Sequence, residues 1–221
     1  MLISGRGSNL AAVLRAIDAG HCAAEVGLVV SDRADAAGLA TAAERGIRTA
    51  VVALREHASR DEWNAALARK VAEGEPDLVV LAGFMRVVGP AFLARFPNRV
   101  INVHPALLPL FPGTHGPADA IAAGVRISGC TVHVVDAGVD TGPILAQGAV
   151  RVLPGDSEAT LHERIQRAEH RLLPQVIDAI ARREIRLDSP LRIAPDPADQ
   201  DDSAMLCSPS FASSRTNHDE P

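Results

Sequence analysis

The chain of 221 residues has little of several residue types, and each shortage excludes a class of protein. It contains no Tyr, one Trp and five Phe, too few aromatic side chains for a surface that stacks on single-stranded nucleic acid. Its three cysteines, Cys22, Cys130 and Cys207, are scattered and odd in number, so they indicate neither a disulfide framework nor a Cys-x-x-Cys metal site. No apolar run approaches the roughly 20 residues of a membrane span, and the N-terminus has no signal-peptide pattern. We therefore expect a protein of the reducing cytoplasm, without membrane contact.

An excess of positive charge is also missing. The net charge is −5, but seven acidic residues and only two arginines lie from Asp188 to Pro221, which leaves 20 acidic and 20 basic residues in 1–187. Because a neutral body lacks the positive surface that binds a nucleic-acid backbone, we expect no nucleic-acid partner. The end of the chain is also rich in Pro, Ser and Asp, which predicts a disordered acidic tail over 188–221 behind one domain over 1–187. The sequence leaves open whether that domain forms a homodimer.

The fold class follows from the order of the apolar patterns. Short β-branched runs alternate with amphipathic helical periods, which predicts an α/β fold with a Rossmann-like, mostly parallel sheet and helices on both faces. After about residue 128 the intervening helices are missing, which predicts an antiparallel addition near the C-terminal part. The predicted strands are Val26–Val30, Ala50–Leu54, Leu78–Ala82, Val100–Val103, Cys130–Val135 and Ile144–Val152, and the predicted helices cover about 10–17, 60–73 and 157–183.

Two local features of these elements are unusual. Met1–Ser4 is short for a central strand, whose usual length is about 5–6 residues; we expect either that the sheet tolerates a short strand or that the true start lies upstream. The long helix after 157 has an N-cap candidate in Ser157, and Pro174 predicts a kink inside it.

Ser4-Gly5-Arg6-Gly7-Ser8-Asn9 lies between the first strand and the first helix. Glycines allow close approach of a ligand to the backbone, and the free N–H groups of the following helix bind phosphate. The third glycine of a dinucleotide-binding motif is absent, and Ser31-Asp32 is the nearest candidate for an acidic residue that binds ribose. The motif therefore favours one phosphate monoester over a dinucleotide; the alternative is an ordinary glycine-rich turn capped by Ser8.

Asn102-Val103-His104 ends a predicted strand at the carboxyl edge of the sheet, where α/β proteins place their ligands. The two polar side chains share one face of the strand. An amide beside an imidazole can polarise a carbonyl and move a proton, as acyl transfer requires. Taken alone, an Asn-x-His motif is more often structural.

Asp136–Pro143 is a glycine-rich loop with two carboxylates, Asp136 and Asp140. A carboxylate next to an imidazole favours the protonated ring and fixes its orientation; the alternative is a solvated turn. His115 and His133 lie near these elements, and each is more readily interpreted as structural. The spacing of these histidines and acids matches no compact zinc motif, so we predict no metal site.

Gly83–Val88 follows a predicted strand at the same sheet edge. It is suited to an apolar slot for a flat heterocycle, although taken alone the pattern is better explained by an ordinary strand-to-helix connection.

Taken together, these motifs resemble one family. They are, in chain order, Ser4-Gly-x-Gly-Ser-Asn9, Ala82-Gly83-Phe84-Met85-Arg86, Asn102-x-His104-Pro105, Leu107-Leu108-Pro109 with Phe111-Pro112-Gly113, Asp136…Asp140-x-Gly142-Pro143, and Gly155-Asp156-Ser157. In this order and spacing they resemble the folate-dependent formyltransferases, and within them the branch that acts on glycinamide ribonucleotide. The resemblance runs from Met1 to about Leu187.

The resemblance implies formyl transfer from the cosubstrate 10-formyltetrahydrofolate to the amine of glycinamide ribonucleotide in purine synthesis, with no metal and no covalent enzyme intermediate. It implies a catalytic trio in which His104 donates the proton and Asp140 favours the protonated ring; the trio is Asn102, His104 and Asp140. It further implies five nucleotide contacts, of which the first three bind the phosphate: Gly7, Ser8, Asn9, Gln166 and Glu169. The implied folate contacts are Arg60, Met85, Arg86, Val87, Val88, Asn102, Asp136 and Asp140.

Two alternatives stay open at this point. A formyltetrahydrofolate hydrolase of the same superfamily uses a similar trio with water in place of the amine, but carries a regulatory domain ahead of the catalytic one. A non-catalytic nucleotide-binding module would share the fold without needing the trio. Methionyl-tRNA formyltransferase is a weaker alternative, because it adds a C-terminal RNA-binding domain, which the acidic tail does not resemble.

Overall fold

In the computed structural model of the chain, which describes residues 1–188 and 192–193, seven strands form one sheet. The strands are β1 (Leu2–Ile3), β2 (Leu28–Ser31), β3 (Arg48–Val51), β4 (Val79–Leu81), β5 (Val100–His104), β6 (Ile127–Val134) and β7 (Ile144–Arg151). Their order is β3-β2-β1-β4-β5-β6-β7; the first five are parallel, whereas β6 and β7 are antiparallel additions. The predicted fold class is confirmed.

In the described part of the chain, six α-helices cover the two faces of this sheet. They are α1 (Ser8–Asp18), α2 (Ala37–Ala43), α3 (Arg60–Ala72), α4 (Pro90–Arg95), α5 (Gly116–Ala122) and α6 (Glu158–Ala181). Apolar side chains of α1, α2, α5 and α6 pack on one face, and those of α3 and α4 pack on the other. Over the described residues, none of these helices has both the length and the apolar character needed to cross a membrane.

The parallel strands β1, β2 and β4 are apolar without alternation because both of their faces are buried, whereas the edge strand β3 is mostly exposed. Leu2 and Ile3 of β1 illustrate this: they are neighbours in sequence but belong to the cores on opposite faces, and they are 1% and 0% exposed. On the α3 side, the fully buried Trp63 donates its indole N–H to the Val52 carbonyl at 2.8 Å. Despite its two residues, β1 lies at the centre of the sheet and pairs with both β2 and β4.

Helix α6 begins as the sequence predicts. Ser157 is its N-cap: the hydroxyl accepts from the backbone N–H of Thr160, and the Thr160 hydroxyl in turn accepts from the backbone N–H of Ser157. Pro174 lies inside the helix but does not end it, although proline cannot donate a backbone hydrogen bond. Pro174 is itself buried together with Leu173 and Val176, so packing against the sheet holds the helix together at this point.

Strand β6 begins three residues earlier than predicted, at Ile127. Ser128 and Gly129 disguise its start, because polar and small residues are typical of turns. Gly129 is nevertheless a strand residue: a Cβ there would clash with the carbonyl of Gly148 on β7. Close approach of the neighbouring backbone, not a turn, therefore explains this glycine.

A second, two-stranded sheet pairs β8 (Ile185–Arg186) antiparallel with β9 (Arg192–Ile193). The second strand lies inside the segment for which we predicted a disordered tail. The remainder of that predicted tail, 189–191 and 194–221, lies outside the described residues.

Candidate active site

The carboxyl ends of β1, β4 and β5 lie side by side, and the chain leaves them toward helices on opposite faces. Helix α1 follows β1 on one face, and α4 follows β4 on the other. Such a reversal of winding opens a crevice outside the strand ends, and ligands of parallel α/β proteins bind there. The predicted site residues of the loops after β1 and β4 and at the end of β5 all lie at this edge.

The loop after β1 has the geometry of an anion-binding turn. Gly7 is left-handed (φ 70°), and a Cβ there would lie 2.9 Å from the Cα of Gly38, so only glycine fits. Gly7 is also the N-cap of α1, and no side-chain hydrogen bond caps this helix. The alternative of a turn capped by Ser8 is therefore wrong: Ser8 is the first helical residue. The first-turn N–H groups of an α-helix lack intrahelical partners, which leaves them free for a phosphate.

Asn9 and Glu169 connect this loop to α6. The Nδ2 of Asn9 donates to the Glu169 carboxylate at 2.9 Å, and both side chains are buried. Burial raises the pKa of Glu169, and the hydrogen bond from Asn9 only partly opposes that shift. One hydrogen of its side-chain amide is used by Glu169, and the backbone N–H of Asn9 remains to offer a phosphate. Gln166 lies one turn earlier on the same face of α6.

The buried Glu169 leads to a stability prediction. Because its pKa is raised in the folded state, folding becomes less favourable as the pH rises from the unfolded value of about 4.3 through the folded one. We expect Glu169→Gln to be more stable than the wild type toward urea at pH 8, on the order of 1 kcal/mol, with a smaller difference at pH 5. Glu163→Gln, an exposed site on the same helix, serves as the control without such a gain. A loss of stability at both pH values would contradict this expectation.

His104, at the end of β5, is 3% exposed and lies between two acceptors. Its Nδ1 is 3.3 Å from the Asp140 carboxylate, and its Nε2 is 2.8 Å from the Phe111 carbonyl. A carbonyl oxygen only accepts hydrogen bonds, so Nε2 must donate. Nδ1 faces a carboxylate, which is also an acceptor, so both ring nitrogens of His104 lie against acceptors.

Asp140 is the charged centre of this cluster. Its carboxylate also accepts from the backbone N–H of Gly113 at 2.8 Å, and it lies 3.4 Å from Nε2 of His133. Burial alone would raise the pKa of Asp140, but the hydrogen bonds from His133 and Gly113 and the field of the two histidines lower it overall. Asp140 is therefore ionised at neutral pH. Its backbone is left-handed, with φ 54°.

His133 is the residue of this site whose role the sequence did not reveal. It is 1% exposed; its Nδ1 donates to the Val134 carbonyl at 3.0 Å, and its Nε2 is 3.3 Å from Nδ2 of Asn102. It therefore orients the Asn102 amide as well as touching Asp140. The signal for this was the pairing of Asn102 with His133 across β5 and β6, a register that a single sequence does not show. The exposed His115 instead precedes α5 and contacts Thr114.

The segment after β4, which we call the 83–89 loop, is held by several hydrogen bonds. The Ser4 hydroxyl accepts from Met85 N at 2.8 Å, Arg60 donates to the Val87 carbonyl at 2.9 Å, and the Asn64 side chain accepts from Gly89 N at 2.7 Å. Met85 and Val87 are 70% and 58% exposed, whereas Val88 is buried. A fixed backbone with exposed apolar side chains is suited to a flat, partly apolar ligand.

Of the two carboxylates in the loop after β6, Asp136 shapes the loop itself. One of its oxygens accepts from Gly138 N at 3.0 Å and from the Thr141 hydroxyl at 2.7 Å. Among residues 1–188 and 192–193, no group of three or more His, Cys, Asp or Glu side chains is arranged to hold a metal ion.

A sequence profile of the family described as Formyl transferase matches residues 1–177. The chain belongs to this family. This formyl transferase is 53% identical over 181 residues to the phosphoribosylglycinamide formyltransferase of Mycobacterium tuberculosis H37Rv, over 82% of this chain and 83% of that protein. It is 40% identical over 181 residues to the protein of the same name from Escherichia coli K12, over 82% and 85% of the two chains.

A solved structure gives the same result. The crystal structure of glycinamide ribonucleotide transformylase 1 from Symbiobacterium toebii is similar to this formyl transferase with a TM-score of 0.84 and 44% identity, over 88% of this chain and 92% of that one. The resemblance identified in the sequence is confirmed.

Proposed function

We propose that this formyl transferase moves the formyl group of 10-formyltetrahydrofolate to the amine of glycinamide ribonucleotide, which gives the N-formyl nucleotide and tetrahydrofolate. The observation that carries the proposal is the cluster of Asn102, His104 and Asp140 beside a phosphate-type loop. The names of the relatives support the same reaction and its place in purine synthesis.

The nucleotide occupies the side of the site formed by α1 and α6. Its phosphate is bound by the backbone N–H groups at Gly7, Ser8 and Asn9, where the positive end of the α1 dipole also lies. Gln166 and Glu169 face the remainder of the nucleotide from α6. The link between Asn9 and Glu169 supports a single binding surface made by both helices.

The cosubstrate occupies the side formed by the 83–89 loop. The exposed Met85 and Val87 give it an apolar surface, and the backbone of this loop offers hydrogen bonds to a flat heterocycle. The cations Arg60 and Arg86 suit the carboxylates that folates carry. The Asp136–Asp140 segment covers the same ligand from the other side of the catalytic residues.

In the reaction, the amine attacks the formyl carbon and the carbonyl oxygen becomes an oxyanion. Asn102 and the protonated His104 stabilise this charge by hydrogen bonding. The amine loses one proton and the leaving folate nitrogen gains one, with His104 as the proton donor. Because Nε2 of His104 is bonded to the Phe111 carbonyl, that hydrogen bond must be exchanged for one to the substrate as the site becomes productive.

An absorbance assay of folate release tests the reaction. We expect turnover of 10-formyltetrahydrofolate that depends on added glycinamide ribonucleotide, because the amine is the nucleophile. Turnover without the nucleotide would indicate a hydrolase that uses water instead. No turnover by folded protein would indicate a nucleotide-binding module, and either result would overturn the proposal.

A further inference from the structure

Asp32, directly after β2, has an unusual environment for a carboxylate. Its side chain is 1% exposed, and one oxygen accepts from Nε of Arg86 at 2.7 Å. The other oxygen is buried and has no hydrogen-bond partner among the described residues. A buried carboxylate with a single hydrogen-bond partner is costly, so the contact with Arg86 is what stabilises Asp32 at this position.

Arg86, the other member of this pair, is much more exposed than Asp32 and uses only one of its nitrogens in the contact. Its side chain is 40% exposed, and Nε is its only hydrogen-bonded nitrogen among the described residues. A free arginine on a surface samples many rotamers, and ordering it on a ligand costs conformational entropy. Because Asp32 binds Nε, the stem of Arg86 is already ordered while the terminal nitrogens remain available as donors.

We infer that Asp32 is a positioning residue for cosubstrate binding: it holds the Arg86 guanidinium in place for the anionic end of the folate. The inference rests on the proposed role of the 83–89 loop in folate binding. It adds a contact from the segment directly after β2, which contributes none of the catalytic, nucleotide or folate residues that the resemblance implies.

The other contacts of the 83–89 loop explain why Asp32 has a separate role. Ser4, Arg60 and Asn64 hold the backbone of the loop, at Met85, Val87 and Gly89. The pair with Asp32 is instead a side-chain contact. Loss of Asp32 should therefore leave the loop in place and release only the guanidinium of Arg86.

The test compares Asp32→Ala, Asp32→Asn and Arg86→Ala by steady-state kinetics and by calorimetric titration of a non-reactive 10-formyltetrahydrofolate analogue. We expect Asp32→Ala to weaken binding of the analogue about tenfold, equivalent to about 1.4 kcal/mol. The KM for the nucleotide and kcat at saturating cosubstrate should change less than about twofold. Asp32→Asn, which keeps an acceptor for Nε, should recover part of the lost affinity.

A matched control is Asp35→Asn, which removes an exposed carboxylate three residues later that pairs with Arg33; it should bind the analogue like the wild type. In the double variant Asp32→Asn with Arg86→Ala, no loss beyond that of Arg86→Ala is expected, because Asp32 acts through Arg86.

The outcomes separate two failures. If Arg86→Ala binds the analogue normally while the wild type turns over both substrates, the folate role of Arg86 is wrong. If Arg86→Ala weakens binding of the analogue but Asp32→Ala does not, the positioning role of Asp32 is wrong. It is also wrong if Asp32→Ala weakens binding of both substrates to the same extent and lowers Tm, because the variant then disturbs the fold as a whole.

Discussion

Asp140→Asn is expected to lower kcat by at least about 100-fold. The carboxylate lies 3.3 Å from Nδ1 of His104, and its pKa is lowered, so it presents a full negative charge to the ring at neutral pH. Asparagine keeps the size of the side chain and an acceptor for the N–H of Gly113, but the negative charge beside the His104 ring is lost. Removing one stabiliser of an oxyanion costs about 10²–10³-fold, and the loss of a general acid is of similar size.

Steady-state kinetics and calorimetry of nucleotide binding check this expectation. Nucleotide affinity should change less than about fivefold, because the phosphate loop lies on the other side of the site. Asp18→Asn, an exposed site on α1 paired with Arg45, supplies the control for a lost surface carboxylate. An Asp140→Asn enzyme with kcat near that of the wild type would return Asp140 to the role of a turn residue.

The double variant of His104 and Asp140 gives a stronger test of the same mechanism. His104→Ala should be about as slow as Asp140→Asn, since the carboxylate acts only through the ring. Residues that act as a unit show strongly non-additive losses, so the double variant should be little slower than either single one. Additive losses would mean that Asp140 contributes to the reaction independently of His104.

The sequence predicted the fold because local patterns determine most of it. Uninterrupted apolar runs such as Leu78–Ala82 indicate strands that are buried on both faces. The absence of helices between the strands after residue 128 correctly indicated antiparallel strands. The start of β6 was missed because Ser128 and Gly129 look like turn residues, although cross-strand packing places them in a strand. Local propensity carries no information about such packing.

The site could be predicted only where its residues lie close to one another in sequence. Asn102 and His104 share a strand, and Gly7 to Asn9 share a turn, so their spacing made each segment a candidate, although Asn-x-His taken alone is more often structural. The loop that carries Asp140 starts beside the amino end of β5, at the pair Ile101–Val134, and folds back to reach His104. No periodicity predicts that return path, and the family resemblance supplied Asp140 instead.

Contacts between distant segments are a further feature that local patterns do not predict. The pair of Asn9 and Glu169 joins residues 160 positions apart, and the pair of Asp32 and Arg86 joins residues 54 apart. In each pair a polar side chain is buried, and a buried polar group requires a partner. Whether such a residue is buried cannot be read from the sequence, so its need for a partner becomes clear only from the structure.

Asn102→Ala is the second change with a large expected effect, a loss of about 10²–10³-fold in kcat. The amide nitrogen of Asn102 lies 3.3 Å from Nε2 of His133. This contact limits the rotation of the amide and keeps an N–H of Asn102 available to the oxyanion that forms on the formyl group.

His133→Ala tests the contact that orients the Asn102 amide separately from the amide itself. This variant keeps the Asn102 amide but frees its rotation, so we expect a smaller loss in kcat, of about tenfold. The affinity for each substrate, measured by calorimetry, should be nearly unchanged. In an Asn102→Ala background, removal of His133 should then cost only what its contact with Asp140 contributes. If His133→Ala is as slow as Asn102→Ala, His133 acts mainly on the His104–Asp140 pair, and the amide would not be the group that it orients.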